Sequence, residues 1–147
     1  MADWLVVMSE DNRLACIGAG LLGLGRGAER RLNRMAQGDR VWIYVNRRWV
    51  DKQTPRLCLI KSIAVITGPV RRLDKPPWAS RRSQTFPHAR PISIERSFDL
   101  PAGDLLPSLS FAAGKTRWGL SLLNAPILLS LKDVQQLHAA LKRSIGR

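Results

Sequence analysis

Polar positions are missing from Trp4-Leu-Val-Val-Met8, and two valines stand side by side in it, so the run predicts a short strand buried on both faces. Ser9-Glu-Asp-Asn12 ends it. Arg13 to Ile17 reads as a second short extended piece. Gly18, Gly20, Gly23, Gly25 and Gly27 then predict a loop, because glycines at that density do not hold a regular helix. Helix formers return from Ala28 to Gln37, with Leu32 and Met35 on one face, Arg30, Arg31 and Arg34 elsewhere, and Gly38 as the stop. From Asp39 to Val45 the pattern alternates weakly. Val41, Ile43 and Val45 fall on one side and Trp42 and Tyr44 on the other, which is a strand with its aromatics on one face.

Asn46 to Pro55 is a polar turn or hairpin. Arg56 to Val70 predicts a long strand, or a bent pair of strands, broken at Gly68-Pro69, with Lys61 on its solvent face. Arg71 to Pro91 carries four prolines, six cations and the aromatics Trp78 and Phe86, and we read it as a long functional loop. Ile92 and Ile94 alternate within a strand from Pro91 to Phe98, and Asp104 to Leu109 is a short helical turn. Ser130-Leu-Lys-Asp133 has the form of a capping box and opens a final helix on which Val134, Leu137, Leu141 and Ile145 share a face.

A chain of 147 residues can bury a core as one domain, 1–147, and 45% hydrophobic against 24% charged residues excludes general disorder. Charge changes the picture more. Lys and Arg number 24 against 11 Asp and Glu, a net of +13, and 18 of the cations are arginine. Residues 26–96 hold 17 cations and 5 anions, so the excess is mid-chain. Such a concentration attracts a polyanion through counterion release, which makes nucleic acid the first candidate partner and an anionic membrane the second, with a solvated basic face as the alternative.

Cys16 and Cys58 stand in apolar surroundings and are too few for a disulfide framework or a zinc ribbon, so buried thiols are expected. Met1-Ala-Asp-Trp4 is not a basic leader, and no apolar run reaches the length that spans a bilayer, so no membrane is expected and the expected location is cytoplasmic. Gly18-Ala-Gly-Leu-Leu-Gly23 spells a dinucleotide fingerprint, but Gly25 and Gly27 interrupt the helix it needs and Asp39 precedes the next strand instead of ending it. Only His88 and His138 are present, and the carboxylates are scattered. Neither a metal site, a catalytic triad nor an acid–base pair is signalled, so the chain reads as a non-enzyme without a cofactor. Of the five tryptophans, Trp4 and Trp42 sit in strands and read as core. Trp49 is an exposed residue or a nucleic-acid contact, Trp78 behind Pro76-Pro77 is a candidate stacking wall, and Trp118 before Gly119 suits core or pocket.

Three blocks in order carry a family resemblance: Trp4-Leu-Val-Val-Met-Ser9-Glu10, then Leu32-Asn-Arg-Met35-Ala-Gln-Gly38-Asp39-Arg-Val41-Trp-Ile-Tyr44, then Leu106-Pro-Ser-Leu109-Ser-Phe111 with Arg117-Trp-Gly119 and Leu129-Ser-Leu-Lys-Asp133. Together they span nearly the whole chain and resemble the EVE domain family of the PUA-like superfamily, related to YTH and ASCH domains. The resemblance implies an α+β, mainly β fold: a PUA-like β-pseudobarrel with flanking helices. EVE domains are regarded as readers of modified bases, chiefly modified cytosines in DNA, and YTH domains as readers of methylated adenine in RNA.

By resemblance, Ser9 lies where the first strand ends at a base pocket, with Asn12 nearby. Leu22 and Gly23 occupy the glycine segment where relatives place a tryptophan wall. Thr67 and Trp78 follow the end of the long strand where a loop closes over the base, and Trp118 belongs to the tail block. Arg26, Arg30, Arg71, Arg72, Arg81, Arg82 and Arg90 are the candidate phosphate rim. The expected function is a nucleic-acid-binding module, on DNA or RNA, that reads a modified nucleobase in an aromatic and apolar pocket. The alternative is a general RNA-binding or ribosome-associated protein on the same fold without a working base pocket.

Overall fold

The computed structural model describes residues 1–24, 28–48, 55–77 and 87–145. Strand β1 (Asp3–Met8) is followed by helix α1 (Glu10–Ala19), β2 (Leu21–Gly23), α2 (Ala28–Leu32), β3 (Arg40–Arg47), β4 (Arg56–Ile66), β5 (Arg71–Arg72) and β6 (His88–Pro101). Short 3-10 helices at Leu106–Ser108 and Trp118–Asn124 lead to β7 (Ile127–Leu128) and helix α3 (Leu131–Ile145). Seven strands form one curled sheet in the order β2-β6-β4-β3-β1-β7, with β5 also on β6. β1 and β3 are parallel, and the other pairs are antiparallel. This is a mainly β, α+β half-barrel with three helices, as expected.

The alternation on β3 separates two cores. Val41 and Ile43 join Trp4, Val6 and Met8 of β1 in a cluster closed by Cys16 of α1, Leu22 of β2 and Leu32 of α2. Trp42 and Tyr44 face the other way, with Leu5, and are covered by Leu106, Leu109 and the Leu137–Leu141 face of α3. With both faces covered, β1 and β3 need nearly continuous apolar sequence, and they have it. Each then ties the other's start. The Trp4 indole donates to Asp39 Oδ2 at 2.9 Å, and the Trp42 indole donates to Asp3 Oδ2 at 2.8 Å. Asp39 also accepts the backbone N–H groups of Ala2 (3.0 Å) and Ala36 (2.8 Å).

Four local expectations are corrected. Residues 10–19 are helical, where the sequence suggested an extended piece and a glycine loop. Ser9 enters in an extended conformation, Glu10 and Asp11 sit favourably at the positive end of the helix dipole, and Gly20 at φ +67° ends the helix by donating to Cys16 O and Ile17 O. Gly18 inside the helix costs about 1 kcal/mol relative to alanine. Tertiary anchoring offsets that cost: Cys16 is buried in the core, and the buried Arg13 guanidinium binds Ser62 Oγ at 2.8 Å and Glu10. Second, Leu21–Gly23 is a strand, paired with Ala89–Pro91.

Third, the helix expected over residues 28–37 stops at Leu32. Its freed carbonyls at Leu32 and Met35 are taken by the Arg90 guanidinium, and Gly38 turns the chain into β3 at φ +91°. Fourth, the loop reading over 71–91 contains β5 and the start of β6, since Arg71 and Arg72 pair with Ala89 and His88. Lys61 is half-buried, bound to Glu10 and 3.4 Å from Asp99. At the end of the chain Ser130 Oγ accepts the Asp133 N–H (3.1 Å), as a capping box requires, but the Asp133 carboxylate turns to the Ser110 N–H and hydroxyl. Ile145 is exposed.

Candidate nucleic-acid interface

Val7 and Tyr44 are register partners where parallel β1 and β3 end, and both point to the face covered by the carboxy-terminal third. Beyond them the sheet opens into a cleft of about 710 Å³. Its floor is Val7 with Tyr44, and one wall is Asn46 and Arg47 of β3 with Arg56 of β4. Residues 116–120 and Leu122 complete the lining and contribute Arg117, Trp118 and Leu120. Arg31 of α2 closes one side, where its Nε donates to the Ala125 carbonyl and so fastens α2 to the tail.

The floor is held rigidly. A register shift between Val45 and Arg47 places Cys58 in a bulge at φ +52°, a conformation that costs a non-glycine residue of order 1 kcal/mol or more. Its carbonyl accepts the Ala102 N–H at 2.9 Å, and its thiol is hydrogen-bonded to Tyr44. Burial, reinforced by that thiol, drives the Tyr44 phenol far above its ordinary pKa, so it stays neutral. Four arginines line the cleft, and none of its described lining residues is acidic. Burial, then the neighbouring Arg34, lowers the pKa of Arg31, yet a guanidinium remains charged at neutral pH. Tyr44 and Trp118 supply aromatic surface, Asn46 and Thr116 supply hydrogen-bonding groups, and the guanidiniums supply positive charge. Those are the requirements of a planar base with a phosphate attached.

Of the described residues among those expected at a base pocket, Trp118 alone lines this cleft. Ser9 is buried and its hydroxyl donates to Asp11. Asn12, in the first turn of α1, has a buried side-chain oxygen without a hydrogen-bond partner. Leu22 is 0% exposed and lies in the core, out of reach of any ligand, and Gly23 is spent on the ladder with Ala89. Thr67 is exposed at the end of β4, with its N–H on Pro91 O. Ser9, Asn12 and Leu22 lie on α1 or the sheet face it covers, and the cleft is on the opposite face. Trp78, Trp49, Arg26, Arg81 and Arg82 lie outside the described residues.

Arg30, Arg71 and Arg72 are exposed, as a phosphate rim requires, but do not line the cleft. Arg90 is corrected. It is 6% exposed, with Nε on Gly68 O (3.0 Å) and Nη1 on Leu32 O (3.1 Å) and Met35 O, so it is a structural tie between β6, α2 and the end of β4. Arg90→Ala should therefore lower stability by about 2 kcal/mol in urea unfolding, because the Gly68 and Met35 carbonyls lose the guanidinium while Leu32 O keeps only the Met35 N–H. The salt slope of nucleic-acid binding should not change. His88 is 3.4 Å from Glu29, and His138 packs edge-on against Trp42 at 5.0 Å. Cys16 is buried, which pushes its thiol up to about 11, whereas Cys58 is only half-buried.

The cleft residues missed in sequence include Arg31, Tyr44, Asn46, Arg47, Arg56 and Arg117. The opposite facing of Tyr44 and Val45 identified the right sheet face, but nothing local joins β3 and β4 to the tail. Among the described residues no group of three or more metal-ligating side chains comes together, and no helix is long and apolar enough to cross a membrane.

The sequence matches no family model and no curated protein. Solved structures match over nearly the whole chain. The YTH domain of Mmi1 superposes with a TM-score of 0.59 at 11% identity, covering 99% of this chain and 92% of that one. A protein from Pseudomonas putida gives 0.55 at 16% identity, with 95% and 99% covered. The Pho92 YTH domain, solved in complex with m6A, gives 0.51 at 13% identity, with 74% and 64% covered. These likenesses establish a YTH-like α+β fold.

Proposed function

We propose that this chain is a nucleic-acid-binding module that accepts a nucleobase, a modified one, in the cleft at the ends of β1 and β3. The observation that carries the reading is the pairing of Tyr44 and Trp118 with four arginines, and no acid among the described lining residues, around one cavity. Trp118 supplies the stacking surface over a floor of Tyr44 and Val7, Asn46 bonds the base edge, and the arginines hold the flanking phosphates. The exposed Arg30, Arg71 and Arg72 extend the positive surface available to the rest of the strand. This role requires no catalysis. Single-stranded or flipped bases suit such a cleft, because their faces and edges are free for stacking and hydrogen bonding.

Short oligonucleotides, DNA and RNA, with and without modified bases, test the reading at two salt concentrations. Trp118→Ala should weaken binding by about 1 to 3 kcal/mol, the range for one base on an aromatic platform. The salt slope should stay as it was, since no phosphate contact is removed. Binding that depends on salt but not on base, and is untouched by Trp118→Ala, would instead indicate a general RNA-binding protein of this fold.

A further inference from the structure

The charge in the cleft exceeds what one internal nucleotide supplies. A phosphodiester carries a single charge on two non-bridging oxygens, and in a base-reading site the flanking phosphates lie along the rim. Here Arg56 and Arg117 both line the cavity and are exposed, and Arg31 and Arg47 line it as well. A volume of about 710 Å³ falls in the range that takes a whole small molecule rather than one ring. Arg31 also donates to the Ala125 carbonyl, so α2 is tied to the tail beside the cavity.

Resting on the nucleic-acid reading above, we propose that the cleft takes the phosphorylated terminus of a single strand, with the terminal phosphomonoester between Arg56 and Arg117. A phosphomonoester offers three terminal oxygens and a charge near −2 above its second ionisation, close to pH 6. Two guanidinium forks lining one cavity can each engage a pair of those oxygens, and a diester has one pair to give. Trp118, next to Arg117, then stacks on the terminal base. The chemistry is shared by a 5′- and a 3′-phosphate.

The test uses one octanucleotide sequence in three forms, with a 5′-phosphate, with a 3′-phosphate and with hydroxyls at both ends, titrated by fluorescence anisotropy against the whole chain. One phosphorylated form should bind about tenfold more tightly than the hydroxyl form, the size of one charge-assisted contact. The identity of that form assigns the 5′ or the 3′ end. The preference should shrink between pH 7.5 and pH 5 and disappear in the Arg56→Ala/Arg117→Ala double variant. Both positions are exposed, so an unchanged melting temperature for that variant shows that folding is not what was lost. Equal binding of all three forms overturns the proposal and leaves the nucleic-acid reading standing, as does a preference that survives the double variant. Failure of every form to bind at low salt overturns both.

Discussion

Replacing Asp39 by alanine should cost about 4 kcal/mol, because it orphans one buried donor and takes the acceptor from two part-buried ones. Those donors are the Trp4 indole and the Ala2 and Ala36 N–H groups, and the carboxylate that serves them is 6% exposed. For a chain of this size that is a fall in melting temperature of roughly 10 °C or more. Asp39→Asn should recover only part of the loss, since an amide turns one acceptor into a donor facing donors. Burial alone would raise the Asp39 pKa, but the Ala2 and Ala36 N–H groups and the Trp4 indole override it and the carboxyl titrates low. Its stabilisation is therefore complete above the unfolded carboxylate range, at about pH 4, and is lost as acid takes the pH down through the folded value. Thermal melts of the wild type and Asp39→Ala should accordingly converge in acid.

Glu10→Ala is the second large effect, at about 3 kcal/mol, because it strips a buried cation of its partner. Glu10 binds both Arg13 and Lys61, and the Arg13 side chain is 9% exposed on the packed side of α1. Without the carboxylate, Arg13 keeps Ser62 Oγ and Lys61 keeps the exposed Asp99. Glu10 too is held low, with Arg13 and Lys61 outweighing its burial, so this contribution fades in acid in the same sense as that of Asp39. The double variant Glu10→Ala/Arg13→Leu should be more stable than Glu10→Ala alone, since it removes the stranded charge. Urea unfolding of the three proteins checks both statements.

How much of this was legible depended on how each element earns its stability. β1, β3, β4 and α3 announce themselves because each buries apolar side chains at a regular period. α1 does not. It buries only Arg13 and Cys16 and contains Gly18, so neither periodicity nor propensity marks it, and its anchors are a guanidinium and a thiol. β2 and β5 are two or three residues long and exist because β6 offers an edge to pair with. The Trp42/Tyr44 face was correctly read as opposite to Val41 and Ile43, and the three-block resemblance carried the architecture. The cleft was not readable, since its walls come from β1, α2, β3, β4 and residues 116–122, and only register and curl bring them together. Arg90 illustrates the limit in the other direction, because nothing in its local sequence separates a buried tie from a solvated cation.

The parallel pairing of β1 with β3 also bears on when the cleft comes into being. Antiparallel β3 and β4 are joined by a short connection, but Asp3 can meet Arg40 only after α1, β2 and α2 have been laid down between them. Closing so long a segment costs more loop entropy than closing the β3–β4 hairpin, so that hairpin is expected to precede this central pair. Val7 faces Tyr44 only once it has closed. Partly assembled chains therefore present no receptor, and a ligand of the cleft draws the population toward fully assembled molecules by mass action.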